Sequence, residues 1–76
     1  MTNNMDIHET EAKKELKEEL RNTYKVHARL AKECYHDGRM TFEECLDHII
    51  DLRDWLADAI DAVEENRLYD IRKPFH

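Results

Sequence analysis

Residues 34–45 read Cys34-Tyr35-His36-Asp37-Gly38-Arg39-Met40-Thr41-Phe42-Glu43-Glu44-Cys45, and this stretch decides how the chain folds. Gly38 is the only glycine, and a residue that accepts a left-handed backbone is well suited to end a helix. Thr41 followed three positions later by Glu44 has the form of a capping box, in which hydroxyl and carboxylate each satisfy the other residue's backbone N–H. The stretch therefore reads as a helix stop, a short turn and a helix start.

Towards the N-terminus, Leu16, Leu20, Thr23, His27, Leu30, Ala31 and Cys34 recur at spacings of one helical turn or its remainder, which places them on one helix face. This predicts a first helix over about residues 9–36, with the first eight residues frayed. Towards the C-terminus, Phe42, Cys45, Leu46, Ile49, Leu52, Leu56, Ile60 and Val63 repeat the pattern and predict a second helix over about 42–67. So short a turn makes the two antiparallel neighbours.

Trp55, Ile50, Ala57 and Ala59 widen the apolar arc of the second helix beyond half its circumference, more than one partner helix can cover. The tail, residues 68–76, carries Leu68, Tyr69, Ile71 and Phe75 around Pro74 and is one candidate cover. A second copy is the other. The expected fold is all-α: a single domain over residues 1–76, two long antiparallel helices forming a helical hairpin that dimerises into a four-helix bundle, with the tail over an end or against a partner. His27 and Arg53 fall at the centres of the two stripes and at one level, predicting a core polar layer that sets register or oligomeric state.

A chain of 76 residues with 41% hydrophobic residues has room for one small domain and none for separate substrate and cofactor modules. Its core is marginal, which again favours self-association. No nucleophile, carboxylate pair or cleft accompanies His27, so the chain is read as a non-enzyme without a cofactor. No apolar run is long enough for a signal peptide or a membrane span, and a cytoplasmic location is expected. There Cys34 and Cys45 would be free thiols or ligands rather than a disulfide.

The net charge of −6 is unevenly placed: −1 over residues 1–8, +1 over 9–36, −8 over 37–66 and +2 over 67–76. Asp47, Asp51, Asp54, Asp58, Asp61 and Glu65 follow helical spacing and line one face of the second helix, roughly 5 Å apart along its axis. Such a row is comparable in spacing with backbone phosphates. A charged solvent face would explain it without further function. The residue choice argues for more: the first helix uses six Glu and no Asp, whereas five of these six acids are Asp, the poorer helix former. Trp55 lies beside the row, where a large ring next to carboxylates would make a binding anchor, although an edge-of-core or dimer-interface ring is the simpler reading. Lys14, Lys17, Arg21, Lys25, Arg29 and Lys32 form a basic strip on the first helix, but no interleaved aromatics or groove-reading motif accompanies it, so direct nucleic-acid binding is not expected.

Two metal readings remain beside these. Cys34, His36, Cys45 and His48 surround the turn with zinc-type donors, although their spacing is not that of a zinc finger and His48 points away from the stripe of Cys45. Small buried apolar cysteines are the simpler reading. The segment Asp37 to Leu46 also resembles the second half of an EF-hand calcium loop, with Asp37 and Gly38 at loop positions five and six, Met40 at eight and Glu44 at twelve. Glu33 and Tyr35 would stand at positions one and three, which departs from that pattern and removes an oxygen ligand.

The functional expectation is a small acidic protein-binding protein whose row of Asp occupies a basic surface of another protein. In size, charge and lack of chemistry it resembles small phage-encoded inhibitors of host nucleic-acid enzymes, a resemblance in type that rests on no shared motif. The alternatives are a structural or adaptor dimer without mimicry, and a metal-binding hairpin.

Overall fold

The structure, a computed structural model, describes residues 3–74, with side chains from residue 11 onward. Helix α1 runs Asn3–His36, helix α2 runs Phe42–Glu64, and one 3-10 turn spans Leu68–Asp70. No strand occurs among the described residues. Phe75 lies outside them.

The turn follows the local chemistry. Gly38 has φ of 79°, and the Gly38 N–H donates to the Tyr35 carbonyl at 3.1 Å while the Arg39 N–H reaches back to Cys34 at 2.9 Å. This is the paired closure that satisfies the last carbonyls of a helix around a left-handed residue. On the far side the Glu44 N–H donates to Thr41 Oγ1 at 3.1 Å and the Thr41 N–H to Glu44 Oε1 at 2.8 Å. α1 starts earlier than expected, at Asn3. Its opening residues contain no Gly or Pro to interrupt a helix. α2 stops earlier than expected because Asn66 adopts φ of 59° and the Arg67 N–H closes onto the Ala62 carbonyl at 2.7 Å.

The helices pack as a hairpin, with contacts at both ends fixing the register. Next to the turn the rings of Tyr35 and Phe42 meet edge to face, centroids 5.6 Å apart. At the open end Lys17 pairs with Glu64, and Lys13 Nζ donates to the Glu64 carbonyl at 3.2 Å. The molecule is a rod of 57 × 17 × 16 Å.

Its seam is narrower and more alanine-rich than the stripes suggested. Buried residues are Leu20, Ala28 and Ala31 on α1 and Cys45, Leu52, Ala59, Ala62 and Val63 on α2. Cys45, Leu52 and Ala59 stand seven residues apart, the repeat of a coiled-coil seam. Alanines let the helix axes approach, so α2 turns its alanine side inward. Phe42, Leu46 and Ile50, at 56%, 43% and 52% exposure, are left outside, as is Leu30. Arg53, one residue beyond Leu52 and thus about 100° around the helix, is exposed. The polar layer expected from His27 and Arg53 is therefore not formed within the chain: His27 is half-buried at the seam and Arg53 faces away from it.

The tail folds back on its own hairpin. Ile71 packs on the cluster of Leu20, Ala59 and Val63, beside Leu16, Trp55 and Leu56. Arg67 secures the bend, donating to Glu65 at 2.7 Å and Asp70 at 2.8 Å, and the bond to Asp70, then that to Glu65, raises the guanidinium pKa above its ordinary value.

Candidate interaction surface

Asp47, Asp51, Asp54, Asp58 and Asp61 are exposed along α2, and Glu65 is exposed at its C-cap. At 3.6 residues per turn the six occupy an arc of about 80° on the Trp55 side of the seam. Phe42, Leu46 and Ile50 occupy the other side, towards Tyr35. α2 thus presents an acidic row and an apolar row next to each other, both outside the core.

The row is not uniformly free. The last turn of α2 holds no basic residue, so Asp61 and Glu64 stand where the helix dipole already concentrates negative charge. Cations arrive from elsewhere: Lys13 and Lys17 from α1 onto Glu64, and Arg67 from the tail onto Glu65. Glu65, expected to contact a partner, is therefore committed to Arg67. Asp58 and Asp61 line an open groove of about 780 Å³ whose other wall is the tail, with Arg72, Lys73 and Pro74. Asp47, Asp51 and Asp54 lie outside that groove.

Trp55 has a different role from that of a free anchor. Its ring is half-buried against the core cluster, and Nε1 donates to the Arg72 carbonyl at 2.6 Å. The ring holds the tail. Sequence reasoning missed Ile71 and Arg72 as its partners because helical periodicity ends before them, and only the apolar content of the tail hinted at packing.

The basic strip is exposed at Lys14, Arg21, Lys25, Arg29 and Lys32, and Lys17 is drawn into the seam by Glu64. Arg21 lies 3.6 Å from Glu18 on its own helix.

Around the turn, Cys45 is buried, Cys34 and His48 are half-buried and His36 is exposed. Both cysteines are free thiols. Among the described residues no three His, Cys, Asp or Glu side chains come together as a metal site would require. Glu44, which the calcium-loop resemblance would make the last ligand, is spent on the capping box. The Thr41 backbone N–H, and after it the Thr41 hydroxyl, hold its carboxyl below the usual glutamate range. The loop likeness thus reduces to a shared helix, glycine turn and capped helix. No helix among the described residues is long and apolar enough to cross a membrane. In comparisons with known proteins, no family model, curated protein or solved structure matches this chain.

Proposed function

We propose that this chain is a small, non-enzymatic interaction protein whose α2 acidic row occupies a basic surface of another protein; an inhibitor that imitates nucleic-acid charge is its sharpest form. The observation that carries the reading is the exposure of the row from Asp47 to Asp61 on one helix face. Stacked like charges at these spacings oppose the helix by a few tenths of a kcal/mol per pair, and Asp adds a propensity cost that Glu would avoid. A requirement for short, closely held carboxylates accounts for both. Two free thiols are in keeping with a cytoplasmic setting.

The same reading includes pairing of two hairpins into a four-helix bundle. A compact monomer of this mass exposes about 4,900 Å² by size scaling, whereas this chain exposes 6282 Å². The elongated rod accounts for part of the excess of about 1,400 Å², which is larger than the about 800 Å² a standard interface removes from each partner. Phe42, Leu46 and Ile50 supply an apolar row for it, and covering that row leaves the acidic one open.

The test uses partners captured on the wild-type chain from a cell extract and identified by mass spectrometry. Asp51, Asp54 and Asp58 changed together to Asn should keep the helices and abolish capture, and wild-type binding should weaken steeply with salt. The same three changed to Glu keep the charge; loss of affinity supports mimicry, and retention supports the adaptor reading. Equal affinity of the Asn and wild-type proteins would remove the acidic row from the function.

A further inference from the structure

The tail is a ligand already bound. Ile71 fills an apolar depression over Leu20, Ala59 and Val63, and the next peptide carbonyl, that of Arg72, takes the Trp55 Nε1 hydrogen bond. Arg72 and Lys73 then line the same groove as Asp58 and Asp61. An aliphatic side chain and a main-chain carbonyl thus meet an apolar cluster and a donor, and the two cations that follow share an open groove with two carboxylates. We propose that the surface under the tail, from the Leu20, Ala59 and Val63 cluster past Trp55 to Asp58 and Asp61, is a docking site for an extended aliphatic–basic–basic segment of a partner protein, with the tail as its resident competitor in cis. The proposal rests on the reading of α2 as a protein-binding face and adds to it the chemistry of the partner and a control on access.

The physical case is one of effective concentration. A segment tethered by the short bend at residues 65–67 is present at its own site at roughly millimolar concentration, so a free segment of like chemistry must compete with it. Among the described residues few contacts hold the tail to the helices: one hydrogen bond, one half-buried aliphatic side chain and charges open to solvent. Tyr69, fully exposed, and Leu68, at 54%, contribute little to the seat. A bound strap of this kind opens locally at low cost, and the acidic row is then accessible over its whole length. With the tail in place, the reach from Asp47 to Asp54 remains open.

The test uses the full-length chain and a fluorescein-labelled octapeptide with the sequence of residues 67–74, read by anisotropy. Ile71→Asp removes the apolar anchor of the tail and leaves the α1 and α2 residues beneath it unchanged; circular dichroism equal to wild type establishes the fold. This variant should bind the octapeptide at least fivefold more tightly than wild type, with Trp55 emission shifted to the red in the free variant and restored on binding. Trp55→Phe added to the Ile71→Asp chain, which keeps a ring and loses the donor, should bind it more weakly than Ile71→Asp alone does. An octapeptide carrying Asp in place of Ile should lose the gain, as should adding Asp58→Asn and Asp61→Asn to the Ile71→Asp chain. Equal binding by wild type and Ile71→Asp, or binding by neither, overturns the docking site. So does sedimentation showing a wild-type dimer that Ile71→Asp alone dissociates, which would make the tail an element exchanged between copies. A hexa-arginine peptide separates this from failure of the acidic-face reading: salt-sensitive binding to both chains with no octapeptide gain sinks only the groove, and absence of hexa-arginine binding sinks the acidic face itself.

Discussion

Lys17 of α1 is paired with Glu64 in the last turn of α2, and one turn earlier Lys13 caps the carbonyl of the same residue at 3.2 Å. One acidic residue thus carries two links from the neighbouring helix, at the end where α2 lacks a cation of its own. The Lys17 side chain is 22% exposed and that of Glu64 51%, so solvent screens the pair. A double-mutant cycle with Lys17→Met and Glu64→Gln should give a coupling of about 1 kcal/mol or less, declining with salt. A coupling that ignores salt would mean that the pair is shielded from solvent more fully than these exposures allow.

The capping box offers a pH signature. Thr41→Ala should cost about 1 kcal/mol, the usual value of an N-cap. Glu44 has a folded pKa below its unfolded one, so its contribution is complete above the unfolded pKa and is lost as pH falls through the folded value. Thermal scans should show the gap between wild type and Glu44→Ala narrowing on acidification below the ordinary glutamate range, since Thr41→Ala keeps the residue-41 N–H that holds the carboxylate. A constant gap would assign the cap to the hydroxyl alone.

Leu52 and Val63 are the largest fully buried side chains, each 1% exposed. Leu52→Ala should cost about 2–5 kcal/mol, comparable with the whole stability a core of this size supplies. Loss of cooperative unfolding by circular dichroism is the expected result. A loss under about 1 kcal/mol would show that the seam collapses around the gap.

Ile50 tests association, being 52% exposed in the single chain. Sedimentation at micromolar concentration should give a dimer for wild type and a monomer of unchanged helicity for Ile50→Asp. Arg53→Leu should leave unfolding of the hairpin nearly unchanged, since Arg53 is exposed, and should strengthen association by enlarging the apolar row. A wild-type monomer at high concentration would transfer all covering of α2 to the tail.

The turn is legible in the sequence because each of its devices acts within five residues. Gly38 with the carbonyls of Cys34 and Tyr35, and Thr41 with Glu44, need no distant partner to be satisfied. The acidic row is legible for a similar reason: helical spacing alone puts Asp47 to Asp61 on one face, and a charge of that density stays in water. The burial of Ala59 in preference to Leu46 is not, because an apolar arc wider than half a helix can turn either part of itself inward without changing any local preference. The packing of Leu20 on Ala59, with Ala28, Ala31 and Ala62 keeping the rest of the seam narrow, settles that choice and moves Arg53 out of the core where periodicity centres it. Trp55 and the tail fall on the same side of this division. A ring beside carboxylates reads as a free anchor until Ile71 is placed on Leu20 and Val63 and the Arg72 carbonyl on Nε1. Those contacts span many residues and follow no period, so they come into being only once the hairpin has formed the surface on which the tail lies.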